Sequence, residues 1–545
     1  MAQLALVQRG KKGPRRFGWL LCVLALPLAS CTAVRYGKLP AVPKWTRFEQ
    51  AFESRVAYSN ALQQATLTVV FSSPLGETNP VYGFWDGGTT WRVRFSPNQA
   101  GRWSYETICS DPANPGLHHR TGAFLCTAPA GANRFQRHGP VRAARDHRHF
   151  EHADGTPFFW LADCAWAAAL LSDPEGWQRY CATRAGQKFT AVQWSAANGM
   201  DLRKEYAFSG SDRIAVNPAF FQRLDAKVDA LNRAGLLSVI MPFYDIRMLP
   251  GDPKDAEGVL YLRYLAARWG ANDVAWLLPV DAGELEPCKR LGRAVFGEGP
   301  HAPVLIDSRV DEFAQFRDEK WVDAFGYMSD FSEKSLADFL SGPFVTAWQK
   351  EPVHPLLNLF PIYEDGRVHA GKPFGDANEV RRAAWLSLLL APPAGVGYGT
   401  LDVATWSSTT NLPPNHPADE APPWQEAASL PGAKQMTILA TFVNSIEFWR
   451  LVPSPQIVAV QPGLTSPRRY IAVAATETKD LTIVYVPEDR TLDLFRNALP
   501  RSPVMGWTNP RTGETEPAVA VVEGGACRFP TPGPGDWLLV IKAGK

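Results

Sequence analysis

Two patterns of hydrophobic and polar positions divide this chain. From about Lys44 to Ala128, apolar residues recur at every second position. Ala65-Thr-Leu-Thr-Val-Val-Phe71 and Trp91-Arg-Val-Arg-Phe95 alternate in this way, which is the period of half-buried strands. Asp86-Gly87-Gly88 is a turn signal, and Gly101-Arg-Trp-Ser-Tyr105 opens a further strand leading into Cys109. The pattern predicts a small β-sandwich over 44–128, followed by a linker at Pro129–Asn133.

From Arg134 the pattern becomes strand, helix, strand, helix. Continuous apolar runs, as parallel strands buried on both faces require, appear at Pro157–Ala162, Phe189–Trp194, Leu236–Phe243 and Val274–Val280. Four more follow at Val304–Ile306, Val322–Tyr327, Leu356–Phe360 and Ala394–Tyr398. Ser172-Asp-Pro-Glu175 is a capping box with an early proline, opening a helix with Trp177, Tyr180 and Cys181 on one face. Asn217-Pro218 opens another, with Phe221, Leu224, Val228 and Leu231 on one side and Gly235 to stop it. Eight strands with intervening helices fit a (β/α)8 TIM barrel over 134–425. A proline-rich loop, Pro413–Pro423, precedes a connecting helix within 426–452, around Lys434–Trp449. Alternation then returns in Tyr470-Ile-Ala-Val-Ala474, Leu481-Thr-Ile-Val-Tyr485 and Trp537-Leu-Leu-Val-Ile541. The expected architecture is a central barrel flanked by an N-terminal β-sandwich and a C-terminal one over 453–545.

Composition agrees with this size. The 545 residues exceed one ordinary domain, and 46% hydrophobic with 20% charged residues suffices for large cores. Nineteen Trp and 29 Phe supply aromatic surfaces of the kind that suit sugar faces, although most aromatics in any globular protein are core. A net charge of +2 gives no argument for a nucleic-acid partner. No P-loop, dinucleotide fingerprint or zinc-site spacing occurs, so no cofactor and no metal are implied. Oligomeric state cannot be read.

Arg9, Lys11, Lys12, Arg15 and Arg16 precede the apolar Phe17–Leu28, a run too short to favour a spanning helix and suited to an export signal. It ends in Leu28-Ala29-Ser30-Cys31, which resembles the bacterial lipoprotein box. The resemblance implies that 1–31 is a lipoprotein signal with its box. Cys31 is then diacylated, and the mature protein is tethered to a membrane outside the cytoplasm, at the outer membrane or periplasmic face. Of the remaining cysteines, Cys109 and Cys126 flank a hairpin. They can form a disulfide in an oxidising compartment or remain two free buried thiols.

The candidate chemistry centres on strand four. Val274–Val280 ends abruptly in Asp281 and, three residues on, Glu284. Carboxylates at the C-terminal end of a barrel strand stand where such barrels build active sites, although both types also favour the first turn of a helix. Trp166, Trp194, Tyr244 and Tyr398 lie at or just after strand ends, where they can stack on sugar rings or pack in the core. Asp163 and Asp245 are the other acids at strand ends, and Asp163 can equally be a scaffold residue.

The chain resembles the apiosidase-like glycoside hydrolases over roughly 45 to 543. Arg137-His-Gly-Pro140 and Ala153-Asp-Gly-Thr-Pro-Phe-Phe-Trp-Leu-Ala-Asp163 are similar to the family's entry into its barrel. Arg263-Tyr-Leu-Ala-Ala-Arg268, then Val274-Ala-Trp276 and Asp281, resemble its strand four and the preceding helix. Tyr363-Glu364, Arg381-Arg-Ala-Ala384 and Gly395-Val-Gly-Tyr-Gly399 resemble its last two units. Gly83-Phe-Trp-Asp-Gly87 is similar to the small sandwich that precedes such barrels, and Pro431-Gly-Ala-Lys-Gln435 with Trp507–Gly513 to a C-terminal collagen-binding-type domain.

The resemblance implies hydrolysis of a glycosidic bond, in the family's known member at apiose in a plant pectin. That reaction needs two carboxyl groups: one protonates the departing oxygen, and the other attacks the anomeric carbon or activates water. Asp281 matches the family's strand-four aspartate and is the expected acid/base. At strand seven the family reads roughly Glu-Pro-x-Tyr-Glu, whereas this chain has Phe360-Pro-Ile-Tyr-Glu364. Phenylalanine cannot serve as nucleophile or base. Glu364 is therefore the expected second carboxyl, beside Tyr363 as a sugar-binding residue, or else a structural partner of Arg381 or Arg382. Glu284 and Asp330 are the alternatives from other strand ends, Asp330 also reading as a loop cap. The rival reading is a carbohydrate-binding lipoprotein whose barrel no longer hydrolyses.

Overall fold

Eight parallel strands close on themselves in chain order in the computed structural model of the protein. Strands one to four are Trp160–Cys164, Ala191–Ser195, Leu237–Met241 and Val274–Pro279. Strands five to eight are Val304–Asp307, Ala324–Met328, Leu356–Phe360 and Gly395–Tyr398. The structure describes residues 39–544 apart from 251–253, 330–332, 342–346, 361, 365–367, 370–371, 374, 391–393 and 408–422. The proline-rich loop falls largely within the last of these, and Cys31 and Asp330 also lie outside the described residues.

Side chains alternate across each strand, so parity decides which residue fills the barrel and which faces the surrounding helices. Ala162, Ala191, Leu237, Val239, Leu277 and Leu305 belong to one buried interior cluster. Their odd-man neighbours Leu161, Val192, Ile240, Trp276 and Ile306 belong to the cluster between strands and helices. The helices are placed by the signals that the sequence carries. Asp173 caps Pro174–Gly186 by accepting from Gly176 N–H, and Asn217 caps Pro218–Arg233 by accepting from Phe220 N–H.

Strand one corrects the sequence expectation. Pro157–Phe158 does not enter the barrel; it pairs with Phe150–His152 in a three-stranded sheet beside it. The barrel strand runs from Trp160 through Cys164, so Asp163 lies inside it and not after its end.

Closure between strands seven, eight and one depends on glycine. Asn358 stands opposite Val396, and Trp160 opposite Gly395. A Cβ on Gly395 would lie 2.1 Å from the Trp160 carbonyl oxygen, and one on Gly397 would lie 2.4 Å from that of Leu359. Both obstacles are backbone and cannot swing away.

The N-terminal sandwich packs a five-stranded sheet on a three-stranded one. Cys109 and Cys126 are free and buried. Cys126 stands opposite Gly101, at the far end of the Gly101–Cys109 strand from Cys109, which separates the two thiols. Arg94 of this sandwich donates to both oxygens of Asp225 on helix Pro218–Arg233, at 3.0 and 2.8 Å. Arg268 donates to the same two oxygens at 2.8 and 2.7 Å. Burial alone would raise the Asp225 carboxyl, but the hydrogen bonds and charges of Arg94 and Arg268 outweigh it and hold the group below its ordinary range.

The C-terminal sandwich joins a six-stranded and a three-stranded sheet. Arg381, on barrel helix Ala377–Leu390, meets both oxygens of the buried Asp536 at 2.7 Å.

Two outcomes test this account. Asp225→Ala removes the acid shared by two buried guanidinium groups and should destabilise the protein by ~3–5 kcal/mol in denaturant titration; a loss below ~1 kcal/mol would contradict it. Because the folded carboxyl sits below its unfolded value, Asp225's contribution is complete above pH ~4 and is lost as pH falls further. Gly397→Ala should cost at least ~1–3 kcal/mol, from a side chain forced against backbone.

Candidate active site

The C-terminal mouth of the barrel opens into a cleft of about 690 Å³. Parity places its acids. Leu277 faces inward, so Pro279 and then Asp281 follow on the same side, and Asp281 leaves the strand end with its side chain 76% exposed. Leu305 likewise faces inward, so Asp307, the last residue of strand five, points into the cleft. Glu284, in the short turn after Asp281, also lines it.

One arginine organises the strand-four acids. Arg247, after strand three, meets Asp245 at 2.5 Å, Glu284 at 3.0 Å and Asp281 at 3.6 Å. Its hydrogen bond holds the Asp245 carboxyl below the usual range. Glu284 moves the other way: burial and then the charge of Asp245 push it up, against the opposing pull of Arg247. Asp307 is pushed up to about 7, first by burial and then by the neighbouring charge of Asp281.

The opposite wall is aromatic. Strands four and five stand across the ring from strands eight and one. Trp166, just after strand one, stacks on Phe360 with ring centroids 5.0 Å apart and planes at 19°. Trp166 Nε1 also donates to the Tyr363 hydroxyl at 2.8 Å. Tyr244 lines the rim and is 65% exposed. Lower down, Gln193 Oε1 and Ser195 Oγ are buried and have no hydrogen-bond partner among the described residues. Ser195 lines the cleft, and Gln193 is held beneath it by its amide nitrogen, which donates to Leu359 O at 3.0 Å. Among the described residues, no group of three His, Cys, Asp or Glu could hold a metal ion.

The structure thus brings Asp281, Glu284, Trp166, Tyr244 and Tyr363 to one cleft, with Asp245 behind Arg247. Four expected site residues point elsewhere. Glu364 is buried outside the cleft lining: the Tyr398 hydroxyl donates to one of its oxygens at 2.6 Å and Gly432 N–H to the other at 2.7 Å. It ties the barrel's end to helix Pro431–Val443, and both oxygens are spent on that contact. Of its two expected partners, Arg381 or Arg382, Arg381 belongs to Asp536 instead. Tyr398 faces outward to Glu364, and Trp194 donates outward to Ser238 Oγ at 2.8 Å. Asp163 is fully buried against Arg184 at 2.7 Å and accepts from the Tyr180 hydroxyl at 2.5 Å. In all three the parity of the strand turns the side chain away from the barrel axis.

Asp307, Arg247, Gln193 and Ser195 escaped the sequence reading. For Asp307 the signal was present: it directly follows Val304-Leu-Ile306, two residues after an inward leucine. Arg247 carried no such mark, because only the folded loops bring it to Asp281.

Among curated proteins none matches this chain. Three family models do. "Apiosidase-like, catalytic domain" matches 144–450, "Domain of unknown function (DUF5060)" matches 41–110, and "Putative collagen-binding domain of a collagenase" matches 452–542. Solved structures share the architecture. A "putative glycoside hydrolase from Bacteroides vulgatus ATCC 8482" is 18% identical, with a TM-score of 0.69 over 92% of this chain and 99% of its own. A family 5 glycoside hydrolase from the same organism is 18% identical at TM-score 0.65, over 76% of this chain and 94% of its own. A third structure, named "Glycoside hydrolase", is 16% identical at TM-score 0.65, over 76% and 99%. At these identities the structures speak for the fold alone. The family match covers more than half of the chain and the same barrel whose mouth carries Asp281, so the protein belongs to the apiosidase-like family.

Proposed function

We propose that this protein hydrolyses a glycosidic bond in a polysaccharide or glycan side chain, with Asp281 as one of two reacting carboxyl groups. The observation that carries the reading is the cleft's division into an acidic wall and an aromatic one. A sugar ring resting on Trp166 and Phe360 presents its edge to Asp281, Glu284 and Asp307. Ser195 Oγ, which lines the cleft and has no hydrogen-bond partner among the described residues, can pair with a sugar hydroxyl that satisfies it. Family membership supports the same reaction class.

A second reading is favoured by one feature. Phe360 occupies the strand-seven end, where the family resemblance calls for a glutamate, and its ring enlarges the apolar platform. A barrel that binds glycans without cutting them would keep that platform and need no second carboxyl group.

We further propose that the protein is exported and tethered through a lipidated Cys31. The basic residues before Phe17–Leu28 and the box at Leu28–Cys31 support this.

A screen of plant and bacterial polysaccharides with the full chain in detergent separates the two readings. Hydrolysis predicts sugar release by the parent and a loss of ~100-fold or more in Asp281→Asn. Glu364→Gln, which loosens a structural tie, should lower thermal stability and leave the pH profile of the reaction unchanged. Retained binding with no release from any glycan would leave the binding reading. In an expressing bacterium, Cys31→Ser should move the protein from the membrane fraction to the soluble fraction; an unchanged membrane fraction would contradict lipidation.

A further inference from the structure

We infer that Asp307 is the second catalytic carboxyl group of the cleft and the one that gives its proton to the departing sugar oxygen. The inference rests on the hydrolytic reading above and assigns to strand five the part that strand seven cannot play.

Position comes first. Asp307 ends strand five, in register with Pro279 of strand four, and its carbonyl accepts from Val280 N–H at 2.9 Å. That hydrogen bond fixes the backbone of Asp307 beside the residue that precedes Asp281. Both side chains line the same cleft, opposite the Trp166–Phe360 platform.

Partners decide between the acids. Asp281, Glu284 and Asp245 all share Arg247, so each has a cation to pair with when charged. Glu364 is locked between Tyr398 and Gly432. Among the described residues, no hydrogen bond or ion pair to the Asp307 carboxyl is found. A half-buried acid with no cation, next to another carboxylate, keeps its proton near neutral pH, and Asp307 is pushed up to about 7. The titratable and charged groups around it are Asp281 and Glu284 from the strand-four end and Arg309 from its own loop. Cys164 lies near it from strand one, Tyr363 lines the same cleft from beyond strand seven, and Tyr327 of strand six belongs to the cluster between strands and helices. Arg309 is turned to Asp311 at 3.1 Å. Burial raises Tyr327, Tyr363 and Cys164, so these three stay neutral.

The step balances with water alone. As the bond between the anomeric carbon and the glycosidic oxygen breaks, the Asp307 proton passes to that oxygen. A water oxygen bonds to the anomeric carbon, and its released proton goes to Asp281, which is open to solvent. Exchange with water returns the proton to Asp307 and removes it from Asp281. One carboxyl group to give a proton and one to accept it from water are what this chemistry requires.

The test uses the full chain, solubilised plant pectin, and the 2,4-dinitrophenyl glycoside of the sugar that the pectin releases. The parent rate on pectin should fall on the alkaline side with a midpoint near pH 7. Asp307→Asn should lose ~100-fold or more on pectin and lose that alkaline limb. On the dinitrophenyl glycoside, whose leaving group needs no proton, it should stay within ~10-fold of the parent. Its melting temperature at pH 8 should equal or exceed the parent's. The reason is that a carboxyl raised by folding opposes the folded state increasingly as pH climbs from ~4 to above its folded value. An Asp307→Asn variant that keeps the pectin rate and the alkaline limb overturns the inference while the hydrolytic reading stands. So does a Glu284→Gln variant that removes the limb in its place. If another polysaccharide of the screen is cut in place of pectin, the same comparison runs on it and on the aryl glycoside of its released sugar; a parent that cuts none of them removes the hydrolytic reading and this inference with it.

Discussion

The barrel can close only because strand eight carries glycine at its inward positions, Gly395 and Gly397, where it passes between strands seven and one. Gly395 and Gly397 meet the carbonyl oxygens of Trp160 and Leu359 at distances that leave no room for a Cβ. Gly399 lies against the Tyr363 ring and Cys164 in the same way. Once that seam is shut, each strand has one fixed register, and register fixes parity. Parity then sorts the acids of the molecule. Asp281 and Asp307 fall on the inward side and reach the mouth, while Asp163 falls on the outward side and meets the helix shell.

The sorting has an electrostatic counterpart. Outward and interdomain carboxylates are neutralised by arginines in close geometry: Asp163 by Arg184, Asp225 by Arg94 and Arg268, and Asp536 by Arg381. Buried charges survive only when paired in this manner, and removing one partner is costly. These pairs bind the two sandwiches and the helix shell to the barrel. The cleft acids differ. Three of them divide a single exposed arginine, and Asp307 has none among the described residues. A group without a fixed counter-charge is a poor strut and a good proton carrier. The same contrast explains why Glu364, satisfied by Tyr398 and Gly432, braces the fold although it stands in a family-like segment.

The fold was largely legible, because long apolar runs and caps such as Asp173 and Asn217 are local signals. Strand one was misjudged by a few residues, since Pro157–Phe158 is as apolar as the strand it adjoins and only its pairing partner tells them apart. Asp281 was legible from its place at the end of strand four. The direction of a side chain was not: Trp194 and Tyr398 sit at strand ends, yet point outward by one residue of parity. Reading Leu305 as inward would have exposed Asp307 at once. Arg247 and the Trp166–Phe360 stack depend on loops meeting across the barrel mouth, which no local pattern encodes.

Hydrolysis in this cleft requires one glycosidic bond to lie between its acidic and aromatic walls. The most direct measurement is a crystal structure of Asp281→Asn soaked with oligosaccharides of the polysaccharide that the parent cuts. The expected result is a sugar ring stacked on Trp166, its glycosidic oxygen within hydrogen-bonding reach of Asp307, and a hydroxyl group on Ser195. A sugar seated elsewhere on the molecule, or lying in the cleft with its glycosidic oxygen turned away from both strand-end aspartates, would contradict it.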